Sequence, residues 1–285
     1  MAGDRLVWID PSGVEQDLLD QPDVFVQWGV LGRDMPRFSH EEEEVVGEHG
    51  ARLLAVRVKP REIELPLFIT AETDSEFRDR LDEFTNLFNP TRGEGTLRSI
   101  RNGRAREVYC RYKEGMEGQE DLEQGGSNGR RAMVVFRAHD PYWYDRDTTD
   151  LTFTADAPAF FPFFPMTLSA GDTFSEININ NDGHVDAWPI WTIRGPMDTL
   201  KITNETSGLF IDLGEIELGS EDIVTIDTRP GEKIAKKNDE PFRKLKPGSR
   251  LFPIDKGHNS IRVEATETTS NSLIVASYRR RWNND

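Results

Sequence analysis

A run of aromatic and acidic residues in the middle of the chain, Asp140-Pro141-Tyr142-Trp143-Tyr144, is the first group that could carry chemistry. Tyrosine and tryptophan rings can line a sugar subsite, and glycosidases use two carboxylates, which Asp140 and Asp145 could supply. Nothing in the sequence fixes the distance between these two carboxylates across a cleft, however, and Asp-Pro is typical of a turn. We therefore predict that residues 140–144 anchor the joint between two domains and form no active site.

Other candidate sites are weaker still. Four consecutive acids, Glu41 to Glu44, do not converge on one point, so we predict a solvated loop there. The segment from Asn178 to Gly183 resembles a calcium loop only faintly, because an EF-hand needs a bidentate Glu where Pro189 stands, although a looser ion site stays open. The five histidines lack the close spacings of zinc sites. No Gly-X-Ser-X-Gly elbow or Gly-Lys-Ser/Thr loop occurs, so the sequence predicts no enzyme, no metal and no cofactor.

The overall charge limits the classes of partner. The 285 residues contain 51 acidic and 35 basic residues, a formal charge of −16. Such a chain is not expected to hold nucleic acid through its phosphates, although DNA could pass it. The most apolar segment, Ala157 to Met166, is short and interrupted by prolines, so we predict neither a signal peptide nor a membrane span. The one cysteine, Cys110, is expected to be a small core residue.

The first half of the chain is predicted to be strands interrupted by one helix. Residues 61–70 alternate apolar and polar side chains, as does a strand with one buried face, and residues 106–112 and 131–138 are further strands. Residues 74–89 have apolar side chains at helical spacing. Thr73 and Glu76 fit a capping box before this helix, and Asn89-Pro90 fits its end.

The composition of the sequence changes at residues 145–164, which are first rich in Thr and then rich in Pro and Phe. We place the domain boundary there, with residues 1–148 as the first domain and residues 149–285 as the second. The second half has many short strands and turns without helices, which is typical of an antiparallel sandwich. The predicted fold is mainly β: a sandwich or split-barrel domain with one amphipathic helix, followed by a second antiparallel β-sandwich.

A series of different short motifs runs along both halves of the chain. The first half has the 63–69 strand, the 77–88 helix, Asn89-Pro90, Gly93-Glu94-Gly95 and Ala138-His139-Asp140-Pro141-Tyr142-Trp143. The second half has Ile179-Asn180-Asn181-Asp182-Gly183, Trp188-Pro189-Ile190, Ile193-Arg194-Gly195, Ile202-Thr203-Asn204, Ile226-Asp227-Thr228 and Gly257-His258-Asn259-Ser260-Ile261. In this order they resemble the distal tail proteins of long-tailed, non-contractile bacteriophages, over roughly residues 50 to 280.

The resemblance implies a structural virion protein at the distal tip of the tail. It implies that the N-terminal domains form a homo-hexameric ring and that the C-terminal domains are galectin-like sandwiches at the periphery. One face would dock the tail tube protein and the other the tail-associated or hub protein of the tip. DNA and the tape-measure protein would pass through the channel without tight binding. The alternative is a carbohydrate-binding accessory module for host envelope sugars, although the second domain has room only for the core sandwich.

Basic residues on a predicted hairpin are candidate assembly contacts. They are Arg98, Arg101, Arg104, Arg106 and Arg111, around an Asn102-Gly103 turn. A second basic group, from Lys233 to Lys246, is predicted to lie in a long loop. On an acidic chain such groups favour contact with acidic partners or neighbouring subunits, while ordinary exposed charge on a hairpin is the alternative.

Overall fold

The computed structural model describes residues 4–19, 24–26, 29–44, 46–47, 49–117, 129–154 and 173–285. The chain forms two compact units, Met1–Arg146 with Trp282–Asp285, and Asp147–Arg281. These units differ from the predicted domains at residues 147–148 and 282–285, because the last four residues pack with the first unit. The Pro- and Phe-rich segment that suggested the boundary lies outside the described residues.

The first unit contains one large antiparallel sheet. Its elements are β1 (Arg5–Ile9), β2 (Glu15–Asp17), β3 (Val24–Val26), β4 (Phe38–Glu43), β5 (Arg52–Val58), β6 (Arg61–Thr70), α1 (Asp74–Leu87), a 3-10 turn (Pro90–Arg92), β7 (Gly95–Arg101), β8 (Arg104–Glu114), β9 (Gly129–Ala138) and β10 (Trp143–Asp145). The sheet has the order β2-β1-β7-β8-β9-β6-β3, and β10 pairs with β8. Strands β4 and β5 pair only with each other in the described part of the chain.

The alternation in β6 and the capped helix explain how this sheet builds a core. Ile63, Leu65, Leu67 and Ile69 are buried, as predicted, and the side chains between them are partly exposed. Helix α1 packs against β6 with its aromatic face buried, and both halves of the predicted capping box are present. The helix ends at Leu87, two residues before the predicted end.

Cys110 lies in this core on β8, and burial raises the pKa of its thiol. Because the thiolate is the reactive form, we expect a thiol-specific reagent to modify the native protein at least about 1,000-fold more slowly than the denatured protein. The single cysteine makes the reaction report on this strand alone. Rapid modification of the native protein would contradict the burial of β8.

The second unit is an antiparallel β-sandwich. Its strands are β11 (Thr149–Thr154), β12 (Thr173–Asn181), β13 (Ile190–Arg194), β14 (Met197–Asn204), β15 (Leu209–Leu218), β16 (Ile223–Asp227), β17 (Ile234–Lys237), β18 (Glu240–Pro241), β19 (Gly257–Ala265) and β20 (Leu273–Tyr278), and β21 (Arg281–Trp282) follows. One sheet has the order β11-β20-β13-β16-β17-β18 and the other β12-β19-β14-β15. Both contribute to a single core around Trp191. The predicted class, mainly β with one helix and a second sandwich, is confirmed.

No helix in the described ranges is long and apolar enough to cross a membrane.

The basic segment from Lys233 to Lys246 was predicted to lie in a loop. Part of it forms the short strands β17 and β18 at the edge of a sheet. Lysine and Pro241 on such short edge strands discourage pairing with another sheet.

Candidate functional site

The predicted Arg-rich hairpin is formed by β7 and β8. Asn102 and Gly103 make the turn with φ of 49° and 78°, as an Asn-Gly turn of type I′ requires. The strands then pair residue by residue from Arg101 opposite Arg104 to Gly95 opposite Cys110. The structure therefore confirms the predicted hairpin and its Asn102-Gly103 turn.

Most of its arginines are engaged within the chain. Arg98 donates to Glu107 at 2.8 Å and to Glu15 at 2.7 Å, and its side chain is only 14% exposed. Arg111 donates to the Pro90 carbonyl at 3.1 Å. Arg104 is exposed and has no ion pair among the described residues. A role for these residues as assembly contacts stays a proposal, and Arg104 is the one left most accessible for it.

Arg101 and Arg106 bind a segment that sequence reasoning did not connect with them. We call Trp282–Asp285 the strap. Arg101 approaches the Asp285 carboxylate at 3.4 Å. Arg106 donates to the Asn284 carbonyl at 2.8 Å, and its guanidinium lies 3.9 Å from the centre of the Trp282 ring. The strap therefore lies on the Arg-rich face of the first unit.

Two further arginines, Arg33 and Arg61, complete this binding site for the strap. Arg33 pairs with the fully buried side chain of Asp285. The Arg33 backbone carbonyl also accepts a hydrogen bond from the Asp285 backbone N–H at 3.2 Å. Arg61 donates to the Asn283 carbonyl at 2.6 Å. The sequence carried one signal for Arg61, since it has the same phase in β6 as the buried residues Ile63 and Leu65.

Arg61 is the most buried of these arginines, with 2% of its surface exposed. Besides Asn283, its guanidinium donates to the carbonyls of Pro141 at 2.6 Å and of Gly32 and Asp34 at 2.5 Å each. Burial lowers the pKa of Arg61 to about 10, partly offset by Asp285 and Asp34, so it stays protonated at neutral pH. It thus ties three separate segments of the first unit to β6.

One of the predicted anchor residues, Asp140 to Tyr144, contacts Arg61 directly. Asp140 accepts hydrogen bonds from the Tyr142 backbone N–H and the Tyr144 hydroxyl, which closes the predicted turn. Pro141 gives its carbonyl to Arg61. Trp143 is fully buried in the core of the first unit, so its ring offers no face to a sugar. The role of residues 140–144 as an interdomain anchor stays a proposal.

The β4–β5 hairpin exposes an apolar face. Phe38 lies opposite Val58 and His40 opposite Val56, so these four side chains share one face. Val56 is 49% exposed, and Leu53 and Leu54 further along β5 are 54% and 58% exposed. The acidic run begins in β4 and not in a loop as predicted, because Glu41 to Glu43 pair with β5.

The second-unit motifs are buried polar side chains that hold turns together. The Asn204 side chain donates to the Asn259 side chain at 3.0 Å, and both residues are fully buried. The Thr228 hydroxyl donates to the Pro189 carbonyl at 2.6 Å, so two further motifs meet. Asn181 donates to the carbonyls of Val185 and Ile254, both at 3.1 Å. The side chains of these motifs therefore hold loops of the sandwich in place.

One of the motif glycines is required by close packing. A Cβ at Gly183 would lie 2.9 Å from the carbonyl oxygen of Arg281 and 2.9 Å from Oδ1 of Asn181.

Among the described residues, no group of three or more His, Cys, Asp and Glu side chains is placed to hold a metal ion.

Comparison with known proteins agrees with this architecture. The chain is similar to SPP1 Dit, described as a paradigm of the hub adsorption apparatus in phages that infect Gram-positive hosts, with 16% identity, a TM-score of 0.70, and coverage of 97% of this chain and 99% of that one. It is also similar to a chain of the phage P2 baseplate in its activated conformation with calcium, with 11% identity, a TM-score of 0.58, and coverage of 99% and 100%. These likenesses show a shared, mainly β fold over nearly the whole chain.

Family models match both halves in order. The phage tail protein RIFT-related domain matches residues 26–150, and the C-terminal domain of the siphovirus-type tail component matches residues 182–282. No curated protein sequence matches the chain. Together the two models cover most of the chain, and the described residues 4–19, with β1 and β2, lie before the first of them. The two domains in this order identify the chain as a homologue of the distal tail and baseplate proteins of phage virions, with a structural role in the distal tail.

Proposed function

We propose that six copies of this chain form a ring at the distal end of the tail. The ring joins the tail tube to the hub of the tip and leaves a channel through which the tape-measure protein and DNA pass. The first units form the ring, and the sandwiches of the second units lie at its periphery. The single observation that carries self-assembly is the group of exposed apolar side chains on the β4–β5 hairpin, Leu53, Leu54 and Val56.

An isolated two-stranded hairpin is marginally stable in water, because it has no second layer to bury its apolar face. In this chain Leu53, Leu54 and Val56 leave about half of their surface in solvent. Clustered exposed apolar residues of this kind mark contact surfaces in soluble proteins. A neighbouring copy in a closed ring would cover the hairpin in every subunit by the same contact.

The charge of the chain supports a channel that does not retain DNA. Each copy carries a formal charge of −16, so a hexamer carries about −96. Carboxylates near the channel would repel phosphates, whereas a basic channel would bind them and slow ejection. Docking to the tube and to the hub would then use surfaces repeated six times, which multiplies modest individual contacts.

A charge on the hairpin face is expected to break the ring. Light scattering coupled to size exclusion should give a mass near six times 32.5 kDa for the unchanged chain. Val56→Glu would place a carboxylate in the covered apolar contact and is expected to weaken association by about 30-fold or more per contact. A mass near 32.5 kDa is then expected at the same concentration.

The matched control is Val14→Glu, which adds the same charge at a residue that is 56% exposed elsewhere in the first unit. This variant is expected to keep the mass of the unchanged chain. A hexamer that survives Val56→Glu would exclude the hairpin as the ring contact. An unchanged chain that stays monomeric over the concentration series would contradict a self-assembling ring.

A further inference from the structure

We propose that the strap makes completion of the first unit conditional on synthesis of the second unit. The strap belongs to the first unit by its packing, yet it follows all of residues Asp147–Arg281 in the chain. Chains are synthesised from the N-terminus, so the remainder of the first unit is made before its last piece. The first unit therefore waits for residues that arrive only after the whole sandwich has been made.

The strap contacts arginines on three strands of the first unit's sheet, and two of these arginines are buried. Arg61 lies on β6, Arg101 on β7 and Arg106 on β8, and these strands belong to one sheet. Arg61 and Arg106 are 2% and 6% exposed. A buried cation must have hydrogen-bond acceptors or opposite charge beside it, because burial removes its water.

Without the strap this cluster loses several partners at once. Arg61 loses the Asn283 carbonyl, and Arg106 loses the Asn284 carbonyl and the Trp282 ring. The contact of Asp285 with Arg33 and Arg101 is lost in the same step. A cluster of guanidinium groups that has lost this carboxylate repels itself, so the sheet around β6 and β7 is expected to open more often.

The consequence is a test of chain completeness. A chain that stops anywhere within residues 147–281 lacks the strap, even if its first 146 residues are correct. Such a chain would present a loosened first unit and would be excluded from assembly. This last consequence rests on the proposed ring, whereas the effect of the strap on the first unit does not.

Hydrogen exchange on the whole chain tests the proposal. Deletion of residues 282–285 is expected to speed exchange of the β6 and β7 amides by about 100-fold, while the β14 and β19 amides of the second unit change by less than about 3-fold. A peptide with the sequence Arg-Trp-Asn-Asn-Asp, added in excess, is expected to restore slow exchange in β6 and β7. Asp285→Asn in the full chain keeps the backbone contacts of the strap and should give an intermediate effect of about 10-fold.

The matched control is Glu83→Gln, which breaks an exposed pair with Arg80 in the same unit and is expected to change exchange by less than about 3-fold. If the deletion aggregates, Asp285→Asn decides the question alone. Unchanged exchange in β6, equal acceleration in both units, or no effect of the peptide would each overturn the proposal. Light scattering on the same samples separates this result from the ring, because a monomeric unchanged chain with a strap effect contradicts only the ring.

Discussion

Replacing Arg61 with Met is expected to lower the free energy of unfolding of the first unit by about 4 kcal/mol. The guanidinium serves four backbone carbonyls, those of Gly32, Asp34, Pro141 and Asn283, at 2.5–2.6 Å. Methionine has similar length and no donor, so these carbonyls would be left with fewer partners in a site from which water is largely excluded. Native-state hydrogen exchange of the β6 and β9 amides in mild denaturant would measure the loss.

Two further variants show whether the effect comes from this geometry. Arg61→Lys keeps the charge but cannot reach all four carbonyls, so a loss of about 2 kcal/mol is expected. Arg5→Met removes an exposed arginine whose side chain is 55% accessible, and a change below about 0.5 kcal/mol is expected. Equal effects of Arg61→Met and Arg5→Met would show that Arg61 does not hold the unit together.

In the second unit, replacing Asn259 with Leu is expected to lower the free energy of unfolding by about 3 kcal/mol. The Asn259 amide donates to the carbonyls of Asp255 and Gly257 at 2.8 and 3.0 Å. Its oxygen accepts from the Asp255 N–H and from the Asn204 side chain, both at 3.0 Å. Leucine has nearly the same shape and removes all four hydrogen bonds, so it leaves buried polar groups unsatisfied.

The control for this variant is Asn178→Leu, the same exchange at an exposed position of β12, where a change within about 0.5 kcal/mol is expected. Hydrogen exchange of the β14 and β19 amides would report both variants. A loss below about 1 kcal/mol for Asn259→Leu would mean that the loop around it has another source of rigidity.

Local patterns predicted several elements of the fold. The alternation in β6, the capping box at Thr73 and the Asn102-Gly103 turn each depend on residues a few positions apart, and each is confirmed. The acidic end of β4, Glu41 to Glu43, was wrongly predicted to be a loop. Its strand conformation comes from pairing with β5, and glutamate has a low preference for strands that such pairing overrides.

The site was harder to predict because its parts are distant in sequence. Arg98 to Arg111 were candidate assembly contacts, with ordinary exposed charge as the alternative, and that role stays a proposal. The sequence did not indicate that Arg101 and Arg106 bind residues 282–285 of the same chain. The 178 residues that separate Arg106 from Asn284 leave no local pattern to connect them. For the second-unit motifs the sequence indicated the residues but not their contacts, such as the hydrogen bond between the Asn204 and Asn259 side chains.

The strap also has a consequence for the way such tail proteins diversify. The Trp282 indole donates to the Asp145 carboxylate at 2.8 Å, so the chain leaves the first unit and re-enters it at neighbouring points. The second unit is therefore an insertion between two adjacent ends, which is the arrangement in which proteins tolerate inserted domains. Recombination could exchange residues 147–281 for another module with close ends and leave the host unit unchanged. One first unit could in this way carry different inserted modules.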